Sequence, residues 1–295
     1  MLTLEWLAEL ADRNLPALQA RVAEFTIQGR HFGFNSRPSV MGVINLSPDS
    51  WYRESVVLSI DAAIERAHVL QAQGAALVDI GAESTLAHAE RVDADAQNSR
   101  LLPLLQALVQ SGPIVSVETY QPAVAEACLA AGAGVINLTG CGDAAKIYPL
   151  VADRDAAIII CFVQGKNARA VEDFDLGKDP VGVMYDYFAR ATEQATRAGV
   201  SKIFIDPGLG FYYKNLNDGA VRVRHQMSMF LNTFRLRTLG FPTCHALPHA
   251  FEFFQEEVRC AEPFFAVLAA LGKTDLYRTH EVPRTRAVLQ TLGVF

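Results

Sequence analysis

From Pro38 onward the hydrophobic positions fall into two alternating patterns. Short apolar runs occur at Val40–Leu46, Ala75–Ile80, Pro113–Thr119, Gly134–Leu138, Ala156–Phe162, Lys202–Asp206, Pro242–Leu247 and Leu276–Val282. Between them lie alanine-rich stretches of helical spacing: Ile60–Gln73, Gln97–Val109, Pro122–Ala131, Val181–Ala198 and Glu262–Leu271. The short runs predict strands and the longer stretches predict helices. Gly74, Gly132 and Gly199 stand where a helix would stop on a left-handed residue. Eight strand–helix units in about 250 residues predict an α/β fold, a (β/α)8 TIM barrel. The rival is an open doubly wound sheet. It does not need eight strands, and no G-x-G-x-x-G opens a helix here.

The first 38 residues read differently. Leu2, Leu4, Trp6, Leu7, Leu10 and the stretch from Leu15 to Phe25 follow helical spacing, with a turn expected over Gly29–Pro38. Residues 1–38 are therefore expected as an N-terminal helical extension and 39–295 as the barrel, with no low-complexity linker between them. Composition narrows the class. With 51% hydrophobic and 20% charged residues, a disordered chain is excluded. A net charge of -6 argues against a general nucleic-acid partner. No apolar run approaches the roughly 20 residues of a membrane span. Five cysteines without a C-x-x-C pair, and no basic leader at the start, point to a reducing, cytoplasmic setting without a disulfide framework.

Polar residues recur where the strands end. Asn45, Asp79, Glu118, Asn137 and Asp206 close five of the runs, and Arg278 and His280 stand two apart in the last. In a barrel these positions meet at the C-terminal face, where chemistry sits. One such residue alone reads as a cap or loop hydrogen bond. Six strands with the same habit point to a polar ligand, because a buried carboxylate without a partner costs several kcal/mol, ~3 or more. Glu118, Asn137 and Asp206 suit a heterocycle carrying N–H and NH2 donors, and Arg278 with His280 suits a phosphate.

These segments resemble the dihydropteroate synthase family. They are Met41–Ser50, Asp79–Thr85, Val115–Tyr120, Ala131–Asn137, Asp206–Phe211 and Arg278–Val282, in family order across about 240 residues. The resemblance implies a pterin-binding barrel in which p-aminobenzoate displaces pyrophosphate from a dihydropterin. It implies that Glu118, Asn137 and Asp206 hold the pterin, that Asn45 binds Mg2+ at the pyrophosphate, and that Arg278 and His280 hold the departing anion. Thr85 and Phe211 match positions near the p-aminobenzoate, and a homodimer through the last helices is implied as well.

The chain also departs from the family pattern. Glu118 replaces the usual Asp, Leu86-Ala87 replaces Arg-Pro, Tyr212-Tyr213-Lys214 replaces Gly-Lys, and His245-Ala246-Leu247-Pro248-His249 replaces a Ser-Arg-Lys sequence. Loss of cations at an anion contact typically costs a few kcal/mol, ~2–5, unless Arg53, Lys214 or a histidine compensates. Three classes stay open: an active synthase, a diverged pterin-binding paralogue, and a methyltetrahydrofolate-binding methyltransferase domain. Arg278-Thr279-His280 argues against the last. His245 and His249 are four apart, but Pro248 breaks the helix that a metal pair of this spacing needs, so they read as loop histidines open to substrate contact. Cys141 reads as a small core or loop residue, with a pocket position as the alternative.

Overall fold

The computed structural model describes residues 2–47, 56–57, 59–84, 91–173, 177, 179–211, 213–216 and 218–294. Two short strands, β1 (Phe25–Ile27) and β2 (Arg30–Phe32), precede the eight that follow: β3 (Ser39–Asn45), β4 (Leu77–Gly81), β5 (Ile114–Thr119), β6 (Val135–Leu138), β7 (Ala157–Cys161), β8 (Lys202–Asp206), β9 (Cys244–Ala246) and β10 (Leu276–Thr279). The eight are parallel, in the order β8-β7-β6-β5-β4-β3-β10-β9. A single parallel bridge, Ile205 to Thr243, joins β8 to β9 and closes the ring. The expected barrel is present.

Alternation along each strand divides the apolar residues between two cores. Val40, Ile44, Val78, Ile80, Val117, Ile136 and Ile158 point outward and pack beneath the helices. Met41, Leu77, Val135, Ile159, Phe204 and Leu276 point inward and fill the barrel. The helices follow their predicted stretches, including Ile60–Ala72, Ala94–Ser111, Pro122–Ala130, Pro180–Arg197 and Ala261–Leu271. None of the described helices is long and apolar enough to cross a membrane.

The N-terminal segment carries two helices, Leu4–Arg13 and Leu15–Gln19. The helical spacing that the sequence carries on to Phe25 stops earlier, at Ala20, whose backbone is extended (ψ 134°). Beyond it β1 and β2 form a hairpin that the helical pattern did not contain. Gln28 and Gly29 both take positive φ (46° and 81°), the tight two-residue turn that matches strand twist. This hairpin stops the lower mouth of the barrel. Ile27, Phe32 and Phe34 are buried in the inner core, and Phe34 meets Phe204 edge-on at 5.3 Å. Polar contacts fix it from outside: Asn35 bonds both backbone groups of Val22 (3.0 and 2.8 Å), and Arg237 joins buried Asp275 (2.5 Å) to the carbonyl of Ala20 (3.4 Å).

Truncating Phe32 leaves a void under the barrel floor. Phe32→Ala is expected to destabilise the protein by about 3–5 kcal/mol in urea unfolding, the usual cost of a buried Phe-to-Ala change. A loss below about 1 kcal/mol would show that the hairpin does not belong to the folded core.

Candidate active site

The site grows from one change of character inside the barrel. Two residues further along each strand, the inward position turns from apolar to polar: Leu77 to Asp79, Val135 to Asn137, Phe204 to Asp206, Leu276 to Arg278. Strand register then sets neighbours. Asp79 lies beside Ser116, Glu118 beside Asn137, and Cys161 beside Asp206. Asn45, Glu118, Asn137, Asp206, Phe211, Arg278 and His280 all line one open pocket at the C-terminal face. Thr85 lies outside the described residues, as do Arg53, Leu86, Ala87 and Tyr212.

Arg278 occupies the middle. Its Nε donates to Asp79 (2.7 Å) and one Nη2 hydrogen to Glu118 (2.6 Å). Asp79 is wholly buried and also accepts from Ser116 Oγ (2.6 Å) and Asn137 Nδ2 (3.1 Å). The sequence places Asp79 at a strand end without giving it a role. Its position under Arg278 shows what it does: it anchors the guanidinium. Burial opposes the arginine's charge, but Asp79 and Glu118 outweigh it and hold its pKa above the ordinary value. Burial pushes Glu118 up to about 7, against the pull of Arg278 and with further push from Asp79 and Asp206. Asp206 is pushed up to about 6 by burial, against Gly208 N–H (2.8 Å) and Arg278. Gly208 makes this turn with φ 71°, and a Cβ there would lie 2.2 Å from the carbonyl oxygen of Phe162, so only glycine fits.

At the rim a second group forms. Glu262, at the start of helix Ala261–Leu271, is fully buried, and its Oε1 lies 2.7 Å from His280 Nδ1 and 3.2 Å from His249 Nε2. Its Oε2 accepts from Thr279 Oγ1 and from the backbone N–H of His280 (2.9 Å) and Glu281 (3.1 Å). Burial works against Glu262's charge, yet the two imidazoles and these hydrogen bonds hold its carboxyl well below the usual range. Burial draws His280 below its ordinary value despite Glu262. Nothing in the spacing marks Glu262: it is the sole polar residue of a buried helix turn, and only the fold brings it to the histidines.

The reading of His245 needs correction, and of the two readings of Cys141 the loop position holds while the pocket alternative does not. His245 is not a pocket contact: it is wholly buried behind the strand, bonded to Thr233 (2.9 Å), packed on Phe230 (4.7 Å), and kept neutral by burial, which pushes it down to about 3. Cys141 is exposed, with its Sγ on the Gly165 carbonyl (3.3 Å). The thiol in the pocket is that of Cys161, on Asn137 (3.5 Å). Arg222 and Gln226 line the pocket from helix Gly219–Asn232, one turn apart on one face, and Arg222 pairs with Glu252. That i, i+4 spacing was the only signal for them. All five cysteines are free.

The family model described as "Pterin binding enzyme" matches residues 41–241. The dihydropteroate synthase of Synechocystis sp. is 31% identical over 215 residues, covering 72% of this chain and 71% of that one. The inactive dihydropteroate synthase 2 of Mycobacterium tuberculosis is 30% identical over 273 residues, covering 87% and 82%. Among solved structures, Xanthomonas albilineans dihydropteroate synthase with 4-aminobenzoic acid is 28% identical with a TM-score of 0.75, over 92% of this chain and 98% of that one. The Thermus thermophilus enzyme in complex with 4-aminobenzoate, at 24% identity and TM-score 0.76, shares the fold. With the family model spanning most of the barrel, this chain belongs to the pterin binding enzymes, in the dihydropteroate synthase family.

Proposed function

We propose that the chain condenses a dihydropterin pyrophosphate with p-aminobenzoate or a close relative of it, releasing pyrophosphate. The observation that carries this is the floor of buried acceptors, Glu118, Asn137 and Asp206, gathered around Arg278 in one pocket. A pterin ring presents N–H and NH2 donors that match such acceptors. In the reaction the bond from the pterin methylene carbon to a pyrophosphate oxygen breaks, and the electron pair leaves with pyrophosphate. The arylamine nitrogen forms the new bond and gives up a proton to solvent. Positive charge grows on the pterin, where the carboxylates stabilise it. Negative charge grows on the leaving group, where Arg278 and His280 stand at the pocket. Phe211, on the pocket wall, is assigned with Thr85 to the second substrate, as the resemblance implies.

Mg2+ fits this site. Asn45 and Ser47 bring neutral oxygens to the same pocket, and a hard cation held by one or two protein oxygens plus phosphates is the usual Mg2+ arrangement. Bound there, it would neutralise charge on the pyrophosphate. We assign the protein to the cytoplasm, which suits its free thiols, and propose a homodimer. Phe264, Val267 and Leu271 form an exposed apolar row on helix Ala261–Leu271 that supports the dimer.

A second reading has one specific support. Arg278 is engaged by two carboxylates, so its charge is not reserved for the leaving group. A pterin-binding paralogue with another second substrate, or with no condensation, accounts for that equally.

Asp206→Ala should weaken dihydropterin binding by about 2–4 kcal/mol in calorimetry, the range for stripping one member of a buried charge-assisted pair. Unchanged affinity would refute the assignment of Asp206. In an assay with dihydropterin pyrophosphate, p-aminobenzoate and Mg2+, the wild type should release pyrophosphate, and Arg278→Lys should lower kcat/KM by about 100-fold, because lysine cannot reproduce the forked donors. Tight pterin binding without pyrophosphate release in the wild type would instead select the paralogue.

A further inference from the structure

We propose that His249, Glu262 and His280 form a binding site for a divalent transition-metal ion, with Zn2+ as the reference case, whose remaining coordination positions open into the pocket. One ligand atom from each residue lies within 4.8 Å of the other two. Two imidazoles and a carboxylate are a donor set that such ions favour, and three protein ligands leave room for a further one. This set differs in kind from the neutral oxygens at Asn45, so it selects a different ion.

The surroundings are built for it. Glu262 is fully buried, and the His249 and His280 side chains are only 12% and 11% exposed. The Oε2 atom of Glu262 is committed to Thr279 and two backbone N–H groups, which leaves Oε1 turned toward both rings. Such outer contacts are what orient a metal-binding carboxylate. A tetrahedral ion with bonds of about 2.0–2.1 Å separates its ligand atoms by about 3.3 Å. The observed Oε1 distances of 2.7 and 3.2 Å both fall short of that, and every separation in the group is within 4.8 Å. Small rotations of the carboxylate and of the rim histidines therefore admit an ion.

Charge gives the site a use. Among the described residues, the pocket is lined by Glu83, Glu118 and Asp206 against Arg222 and Arg278. Both arginines are already paired with carboxylates. A pocket of this balance repels a polyanion. A dication at its rim reverses that locally and binds an anionic oxygen directly. This use rests on the pyrophosphate-releasing reading, whereas the site itself does not.

The test is metal titration of chelator-treated protein. Calorimetry with Zn2+ should show one equivalent bound, and Co2+ should give the visible absorption of a low-coordinate nitrogen–oxygen site. His249→Ala and Glu262→Gln should each weaken Zn2+ binding by at least about 100-fold. Thr279→Val, which touches no metal, should weaken it by about 10-fold, the effect of losing an outer contact. Circular dichroism checks that each variant is folded, and Thr279→Val keeps the test valid if Glu262→Gln is not. Absence of stoichiometric Zn2+ at about 10 µM, or equal affinity in His249→Ala, would overturn the proposal and reduce the three residues to a hydrogen-bonded cluster. Dihydropterin binding measured in the same samples separates the two claims. Pterin bound without zinc removes the metal site alone, and zinc bound without pterin removes the transferase reading alone.

Discussion

Everything at the upper face depends on a guanidinium held inside a barrel. Arg278 lies between Asp79 and Glu118, largely buried at the base of the pocket. A buried ion group of this kind is tolerated only when its partners are all in place, and removing one member typically costs about 3–5 kcal/mol. The partners come from β4 and β5 and the arginine from β10, so the group demands a closed ring in correct register. A slip of one residue on any of these strands would turn its polar side chains out against the helices. The hairpin matters for the same reason. It fills the lower mouth with Ile27, Phe32 and Phe34, which seals the apolar layer beneath the polar one.

The same constraint explains why the pocket is receptive. Two carboxyl groups, Asp79 and Glu118, share one guanidinium, and a third, Asp206, lines the same pocket bonded to the Gly208 N–H. Burial pushes Glu118 up to about 7 and Asp206 up to about 6, so these carboxyl groups change protonation between about pH 6 and pH 7. A ligand edge rich in N–H donors completes what the protein leaves short. A ligand edge made of acceptors alone would leave these carboxylates unpaired. On the proposed reading, specificity for a pterin-like edge follows from this imbalance of charge rather than from shape alone.

Most of this was legible in the sequence because barrel physics is periodic. Eight runs at regular spacing gave the architecture, and polar residues at run ends marked the floor. What stayed hidden depends on contacts with no local signature. β1 and β2 are three residues each, too short to break the helical spacing around Phe25. Glu262 sits in an apolar helix, and its meeting with His249 and His280 joins three separate loops and turns. His245 and His249 looked alike as loop histidines. Strand alternation sends His245 outward to Thr233 and Phe230, while His249, beyond the strand end, reaches the rim. Asp79 was visible as a polar strand end, but its role under Arg278 needed the register.

Glu262 lies at the rim where the sequence departs from the family pattern that it resembles. The stretch where the resemblance implies Ser-Arg-Lys here carries His249, beside a carboxylate outside every matching segment. With Glu262 ionised and His280 drawn below its ordinary value, this cluster brings no positive charge of its own, and only the proposed cation would place charge near an anion above the acidic floor.

The most direct test of that floor is the proton balance of pterin binding. Calorimetry at about pH 6.5 in two buffers of different ionisation enthalpy measures it. Ligand donors favour the ionised carboxylates, so Glu118 and Asp206, whose pKa values stand at about 7 and about 6, should lose protons as the ligand binds. The account predicts net proton release to the buffer, reduced in Glu118→Gln. Binding with no proton exchange, or with proton uptake, would contradict it.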